Sequence, residues 1–226
     1  MDLIMRRALM MAQKKDVGYI TDGLTHWWDG INKGGVTGVW KDLVGNIDLY
    51  AQGSVSESQK GWALSGGWLQ SDEGYYIAEE YGTATIEMVF RVDSISSGRT
   101  VYLFVSGPNT TEKPILAIDT NARIINSNKS NKYVYLLDGN YKGHPKRVSN
   151  TQNLCVINGA LATRGSTSYK NNNNDYTYVG KRSPDYTDCS AFRGEVYSVR
   201  VYNRKLTSDE MMYNQSVDER IFGLWE

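Results

Sequence analysis

The sequence predicts an all-β protein: a two-sheet antiparallel β-sandwich with a short C-terminal helix. Three observations predict it. Gly194 to Tyr202 reads as a long period-two strand. Directly after it, Thr207 and Glu210 have the Thr-x-x-Glu spacing of a capping box, with Leu206 and Met211 placed to staple across the helix start. Upstream, apolar runs flank Asp138-Gly139-Asn140 and Asn158-Gly159, turn sequences that supply the positive φ a tight hairpin needs. At 226 residues the chain suits one large β domain.

The elements follow in order. Residues 1–21 form an N-terminal arm or leader, and Asp22-Gly23 is the turn that opens the domain, 22–226. Trp27-Trp28 places two indoles on opposite faces of a strand, one of them entering the core. Asp42, in Trp40-Lys-Asp-Leu-Val-Gly-Asn46, reads as a loop-fixing residue whose carboxylate bonds nearby amides. Trp62 to Leu69 reads as strand, glycine kink and strand.

Ile86, Met88, Phe90 and Val92 alternate with Glu87, Val89 and Arg91, the pattern of a strand with one buried face. Val101 to Val105 and Ile115 to Ile118 are denser runs expected in central strands. Two hairpins are expected around Asp138-Gly139-Asn140 and Asn158-Gly159. Pro108, Pro114, Pro145 and Pro184 fall in turn-rich stretches outside the apolar runs. The helix spans Ser208 to Val217, and Phe222, Leu224 and Trp225 pack its exit back on the sandwich.

Composition narrows the function. Twenty-five basic and twenty-five acidic residues sum to zero, which argues against nucleic acid or another polyanion held by a bulk electrostatic field. No apolar run is long enough to span a membrane. Arg6 and Arg7 precede only Ala8 to Ala12, too short for the apolar core of a secretion signal. Cys155 and Cys189 read as unpaired thiols in or beside apolar strands. Sixteen Tyr and six Trp against four Phe give rings with polar handles, suited to half-wet surfaces.

Phe192-Arg-Gly-Glu-Val-Tyr-Ser-Val-Arg-Val-Tyr-Asn-Arg-Lys-Leu-Thr207, preceded in order by Trp40 to Asn46, Asn158-Gly159 and Tyr178-Val-Gly180, resembles the laminin-G-like, concanavalin A-like lectin/glucanase superfamily. The resemblance covers roughly Asp22 to Gly223. It implies a jelly-roll sandwich that binds or cleaves sugars, with calcium in related lectin-like domains. Met5-Arg-Arg-Ala-Leu-Met-Met11 is similar to the leaders of phage- or prophage-encoded members.

The catalytic glucanases of this superfamily carry two or three carboxylates at alternate positions of one strand, so that acid and nucleophile face one cleft. Here no two of the twenty-five acids are offset by two or by four positions, and Glu87 and Glu195 each stand alone on their strands. His26 and His144 read as interfacial or loop residues with no acid immediately beside either. No Asp-x-Asp loop offers the oxygen set of a calcium site; Asp72-Glu73 and Asp185 to Asp188 are the acidic loop pairs. No cofactor is expected, with calcium the one metal left open.

A sugar platform needs a ring to stack on and amides or carboxylates to bond hydroxyls. The loops 68–76, 140–144 and 169–176 hold both, and the candidate carbohydrate-binding residues are Trp68, Tyr75, Tyr76, Tyr141, Asn173 and Tyr176. The function expected is a non-catalytic lectin-like adhesion module binding a glycan or polysaccharide. Its expected setting is a phage virion surface or tail, reached by lysis, with the arm contacting virion proteins. The alternatives are a purely structural virion protein and, last, a polysaccharide hydrolase.

Overall fold

Alternation along the strands builds two stacked sheets, and what lies on each outer face distinguishes them. The structure is a computed structural model that describes residues 18–72, 84–94, 99–106, 115–118, 123–128, 131–136, 145–151, 154–158, 160–163, 176–181 and 192–223. In the first sheet the order is β14 (Ala160–Thr163), β13 (Leu154–Ile157), β12 (Pro145–Thr151), β7 (Thr85–Ser94), β16 (Arg193–Tyr202), β5 (Trp62–Ser65) and β4 (Val55–Glu57). β1 (Leu24–Asp29) pairs with the far end of β16.

The second sheet runs β11 (Asn131–Leu136), β10 (Arg123–Asn128), β9 (Ile115–Ile118), β8 (Val101–Ser106), β15 (Thr177–Val179), β6 (Trp68–Ser71), β3 (Leu49–Gln52) and β2 (Val39–Trp40). Both sheets are antiparallel at every pairing described. A helix, α1 (Ser208–Phe222), follows β16. The architecture is the two-sheet sandwich with a C-terminal helix that the strand pattern predicts.

Between the sheets, Trp28, Trp40 and Trp62 join Leu49, Leu69, Met88, Phe90, Phe104 and Phe192 in one apolar cluster. Trp28 and Trp40 each donate their indole N–H to a backbone carbonyl, of Ile47 and Asp29 respectively, at 2.8 Å, so those rings enter the core with their polar edge satisfied. Gly66 and Gly67 carry the chain from β5 in one sheet to β6 in the other, the edge crossing that the glycine kink foretells. At Gly194, where β16 bulges against β7, a Cβ would sit 2.0 Å from the Arg91 carbonyl oxygen, so no larger residue fits.

The expectations for the helix end, β7 and one hairpin need correction: α1 runs to Phe222 rather than Val217, so Phe222 lies inside it, and Leu224 and Trp225 lie outside the described residues. β7 buries both faces: Ile86, Met88, Phe90 and Val92 enter the intersheet core, while Glu87 and Val89 lie buried on the other side. Trp28 enters the intersheet core, as expected of one of the two indoles, and Trp27, on the opposite face, is also buried, in a second cluster with Tyr19, Leu24, Leu43, Tyr202, Leu206, Met211 and Val217. The cause is the same for β7 and Trp27, since the helix covers the outer face of the first sheet. Asp138-Gly139-Asn140 lies outside the described residues, and the described strands on either side of it do not pair with each other, β11 lying in the second sheet and β12 in the first. Asn158 does turn the β13–β14 hairpin, at φ 47°. Pro145 opens β12, the strand position that needs no donated amide from it.

The helix is seated by a polar cluster without solvent contact. Glu87 on β7 lies opposite Ser149 on β12 and Arg200 on β16, so cross-strand register alone gathers these three side chains. Arg147 reaches Glu87 at 2.5 Å and Asp218 of α1 at 2.7 Å; Arg200 reaches Glu87 at 3.0 Å and grips Asp218 at 2.6 and 2.8 Å. Ser149, Asn214 and Tyr19 complete the set, bonding Glu87 at 2.6 and 2.9 Å and Asp218 at 2.6 Å. Two carboxylates and two guanidiniums balance, which is the condition for holding such charges out of water.

Capping fixes the helix ends. Thr207 Oγ1 accepts the Glu210 amide at 3.3 Å and the Glu210 carboxylate accepts the Thr207 amide at 2.8 Å, completing the capping box. Gly223 ends the helix in the left-handed region at φ 60°, its amide bonded to Glu219. Lys60 adds a bond to the Phe222 carbonyl at 2.7 Å.

Burial by itself would push the Asp218 carboxyl up, but the adjacent Arg200 and Arg147 more than offset it and hold the group below its ordinary value. Replacing one member strands the others: Asp218→Ala should cost about 3–5 kcal/mol of stability, read as a fall in the urea midpoint. Hydrogen bonds from Arg204 bring Glu210 down to about 2. Because the unfolded carboxyl titrates near ~4.3, the stability Glu210 supplies is complete above that pH and fades as pH falls toward its folded value. The difference in urea midpoint between wild type and Glu210→Gln should therefore be constant near neutrality and shrink between about pH 4 and pH 2.

Candidate functional site

The outer face of the second sheet carries rings that no helix covers among the described residues. Leu49, Leu69, Val101, Leu103 and Val179 point into the intersheet core, so their strand neighbours point outward, except Phe104, which joins the core where β8 bulges against β9. Tyr102, Val105, Ala117 and Tyr178 form a cluster on that outer side, with half-buried Trp68 and Tyr176 packed against it. Register sets Tyr50, Gln70, Tyr178 and Val105 in one row across β3, β6, β15 and β8, and Gln52 opposite Trp68.

Polar groups interleave with the rings. Trp68 Nε1 donates to Gln70 Oε1 at 3.1 Å, and Lys181 Nζ stands 4.0 Å above the Trp68 ring centroid. Tyr176 and Tyr178 meet edge to face, their centroids 6.2 Å apart. Burial raises the Tyr50 phenol, and a hydrogen bond to the Asp72 carboxylate raises it further. Tyr102 and Tyr178 are buried, while Tyr50, Trp68, Gln70, Tyr176 and Lys181 keep part of their surface, so the accessible portion combines aromatic rings with amide, phenol and ammonium groups, the kinds of group that stack and bond a polyhydroxylated ring.

Of the expected binding residues, Trp68 and Tyr176 come together on this face, both packed against the cluster of Tyr102 and Tyr178. Tyr75, Tyr76, Tyr141 and Asn173 lie outside the described residues, as do Glu73, His144, Asp185 to Asp188 and Cys189. Tyr50, Gln70, Tyr102, Tyr178 and Lys181 were not anticipated. A signal for Gln70 was present, since it follows Trp68 by two positions on one strand and must share its face. For Tyr50, Tyr102 and Tyr178 the sequence carries no mark of which sheet, or which side of it, each strand supplies.

Two other constellations look like chemistry and are not placed to perform it. Glu87 and Asp218 converge, but both side chains are fully buried and held by two arginines, so no substrate reaches them. His26 lies not in a loop but on β1, buried, with Nδ1 2.6 Å from Asp42 Oδ2. That resembles a base and its orienting acid, yet the same carboxylate accepts the amides of Trp27, Val44, Gly45 and Ile47 at 3.0–3.3 Å. Asp42 therefore fixes the loop, as its sequence context suggests. Among the described residues no three His, Cys, Asp or Glu gather to hold a metal, and no helix is long and apolar enough to cross a membrane.

No family model matches the sequence, and no curated protein matches it. Solved structures share its fold. Trypanosoma rangeli sialidase in complex with sialic acid superposes with a TM-score of 0.73 at 14% identity, over 97% of this chain and 39% of that one. A mutant of the same sialidase displaying trans-sialidase activity gives 0.68 at 13%, over 95% and 39%. The binding domain of botulinum neurotoxin serotype D/C gives 0.58 at 13%, over 85% of this chain and 52% of that one. The chain thus spans only 39% of the sialidase chains it matches. At such identities the likeness establishes the fold alone, a two-sheet antiparallel β-sandwich.

Removing the Asp42 carboxylate leaves amides around the loop without an acceptor, at roughly 1–3 kcal/mol for each that stays buried and unpaired. Asp42→Ala should lower stability by about 3 kcal/mol in urea unfolding, and a variant as stable as wild type would contradict the structural role.

Proposed function

We propose that the protein is a non-catalytic, lectin-like carbohydrate-binding and adhesion module that takes its glycan or polysaccharide on the outer face of the second sheet. The observation carrying the proposal is the grouping of half-buried Trp68 and Tyr176 with half-buried Gln70 and Lys181 on the outer side of the second sheet, beside the buried cluster of Tyr102, Val105, Ala117 and Tyr178. Aromatic rings with polar neighbours stack a pyranose and bond its hydroxyls. The fold adds support, since the structures sharing it include a sialidase in complex with sialic acid and a toxin binding domain. Hydrolysis is disfavoured because the carboxylates that converge among the described residues are held by arginines: Glu87 and Asp218 in a buried cluster, Asp93 and Glu195 by Arg91, and Asp22 and Glu210 by Arg204.

Tyr75, Tyr76, Tyr141 and Asn173, which lie outside the described residues, are proposed as further glycan contacts on the grounds of their sequence context. The proposed setting is a phage virion surface or tail, supported by the similarity of Met5 to Met11 to the leaders of phage-encoded relatives, with residues 1–21 as the contact to virion proteins.

Affinity electrophoresis through gels containing single polysaccharides tests the reading. A retarding polysaccharide should be bound about threefold to tenfold more weakly by Trp68→Ala or Tyr176→Ala, the equivalent of about 0.5–1.5 kcal/mol per aromatic contact. Unchanged retardation of both variants, with thermal melting intact, would remove this face from the proposal.

A further inference from the structure

Lys181 occupies the place where a sugar would stack. It follows Gly180, whose amide donates to the Leu103 carbonyl at 3.0 Å and whose carbonyl accepts the Phe192 amide at 3.0 Å. Gly180 itself has φ 89°, and a Cβ there would meet Leu64 at 2.3 Å. The lysine stem therefore starts from a fixed anchor, and its ammonium rests 4.0 Å above the Trp68 ring.

The charge there is not balanced. Lys41 pairs with Asp48, Arg91 with Asp93 and Glu195, and Arg204 with Asp22 and Glu210. Among the described residues no carboxylate pairs with Lys181, and Asp72, just past the end of β6, is bonded by the Tyr50 phenol. A neutral ring that stacks on this face of Trp68 must displace the ammonium and returns nothing for the lost cation–π contact. A ring bearing a carboxylate displaces it and forms a charge-assisted hydrogen bond with it. Discrimination then comes from both an attractive and a repulsive element.

We propose that the face selects acidic glycans of the uronate type, with Trp68 stacking the ring and Lys181 pairing its carboxylate. The inference rests on the reading of this face as a glycan platform. It is also compatible with a net charge of zero, because a single local ammonium reads one carboxylate and no bulk field is needed.

The test uses the full chain with polygalacturonate and its carboxyl-reduced neutral counterpart as probes, in titration calorimetry at fixed salt. Wild type should bind the acidic polymer at least about tenfold tighter than the reduced one, a difference equal to about 1.4 kcal/mol. Lys181→Met should abolish that preference and Lys181→Glu reverse it. Lys205→Met, at an exposed position after β16, should leave it unchanged and so exclude an effect of total charge. Equal affinity for both polymers, weakened by Trp68→Ala but indifferent to Lys181, would overturn the charge selection and keep the platform. Binding indifferent to Trp68→Ala, or no binding to polygalacturonate, alginate or hyaluronan, would overturn the inference, and the first of these would take the platform with it.

Discussion

Two guanidiniums and two carboxylates, all out of contact with water, decide how this molecule is organised. A charged row on the outer face of the first sheet cannot be left half covered: exposed, its members would be ordinary surface residues, and buried, they demand complete pairing. α1 supplies the missing half, since Asp218 answers both arginines and Asn214 completes Glu87. The apolar residues around the row, among them Trp27, Leu206, Met211 and Val217, then close over it. Once the helix is committed to the first sheet, the second sheet keeps its rings outward. The placement of the candidate face is in that sense a consequence of charge pairing on the opposite side of the protein.

The local devices of the fold were readable from the chain. Thr207 and Glu210, Asn158-Gly159, Asp42 and the Gly66-Gly67 kink act as their spacing and chemistry require, because each depends on neighbours within a few positions. What escaped depends on partners far along the chain. Glu87 looked solitary because its companions, Arg147, Arg200 and Asn214, are 60, 113 and 127 positions away. The second buried face of β7 escaped for the same reason, since only the docked helix buries it. Alternating polar residues on a strand read as solvent-facing whether water or a charged partner lies opposite.

The candidate face shows the same division. Trp68 and Tyr176 stood out as aromatics near polar loops, and the fold brings both to one side. Tyr102 and Tyr178 lay within runs that read as core, and their outward direction follows only from knowing that Leu103 and Val179 point inward. Lys181 gave no signal at all. Its meaning comes from the ring beneath it, and that contact is set by β6 and β15 being neighbours in space though distant in sequence.

Tyr19 donates to Asp218 and packs against Trp27, and Gly18 lies beside Tyr213 and Arg220 of the helix. Both ends of the described fold therefore emerge on the helix-covered side. A tether attached at Gly18 or Gly223, whether to another domain, a particle or a solid support, would hold the protein by its helix-covered side and leave the half-buried Trp68 and Lys181 on the side away from it. Display of many copies on one scaffold would then array that side outward without any change in the fold, so that weak contacts at single copies add into firm attachment.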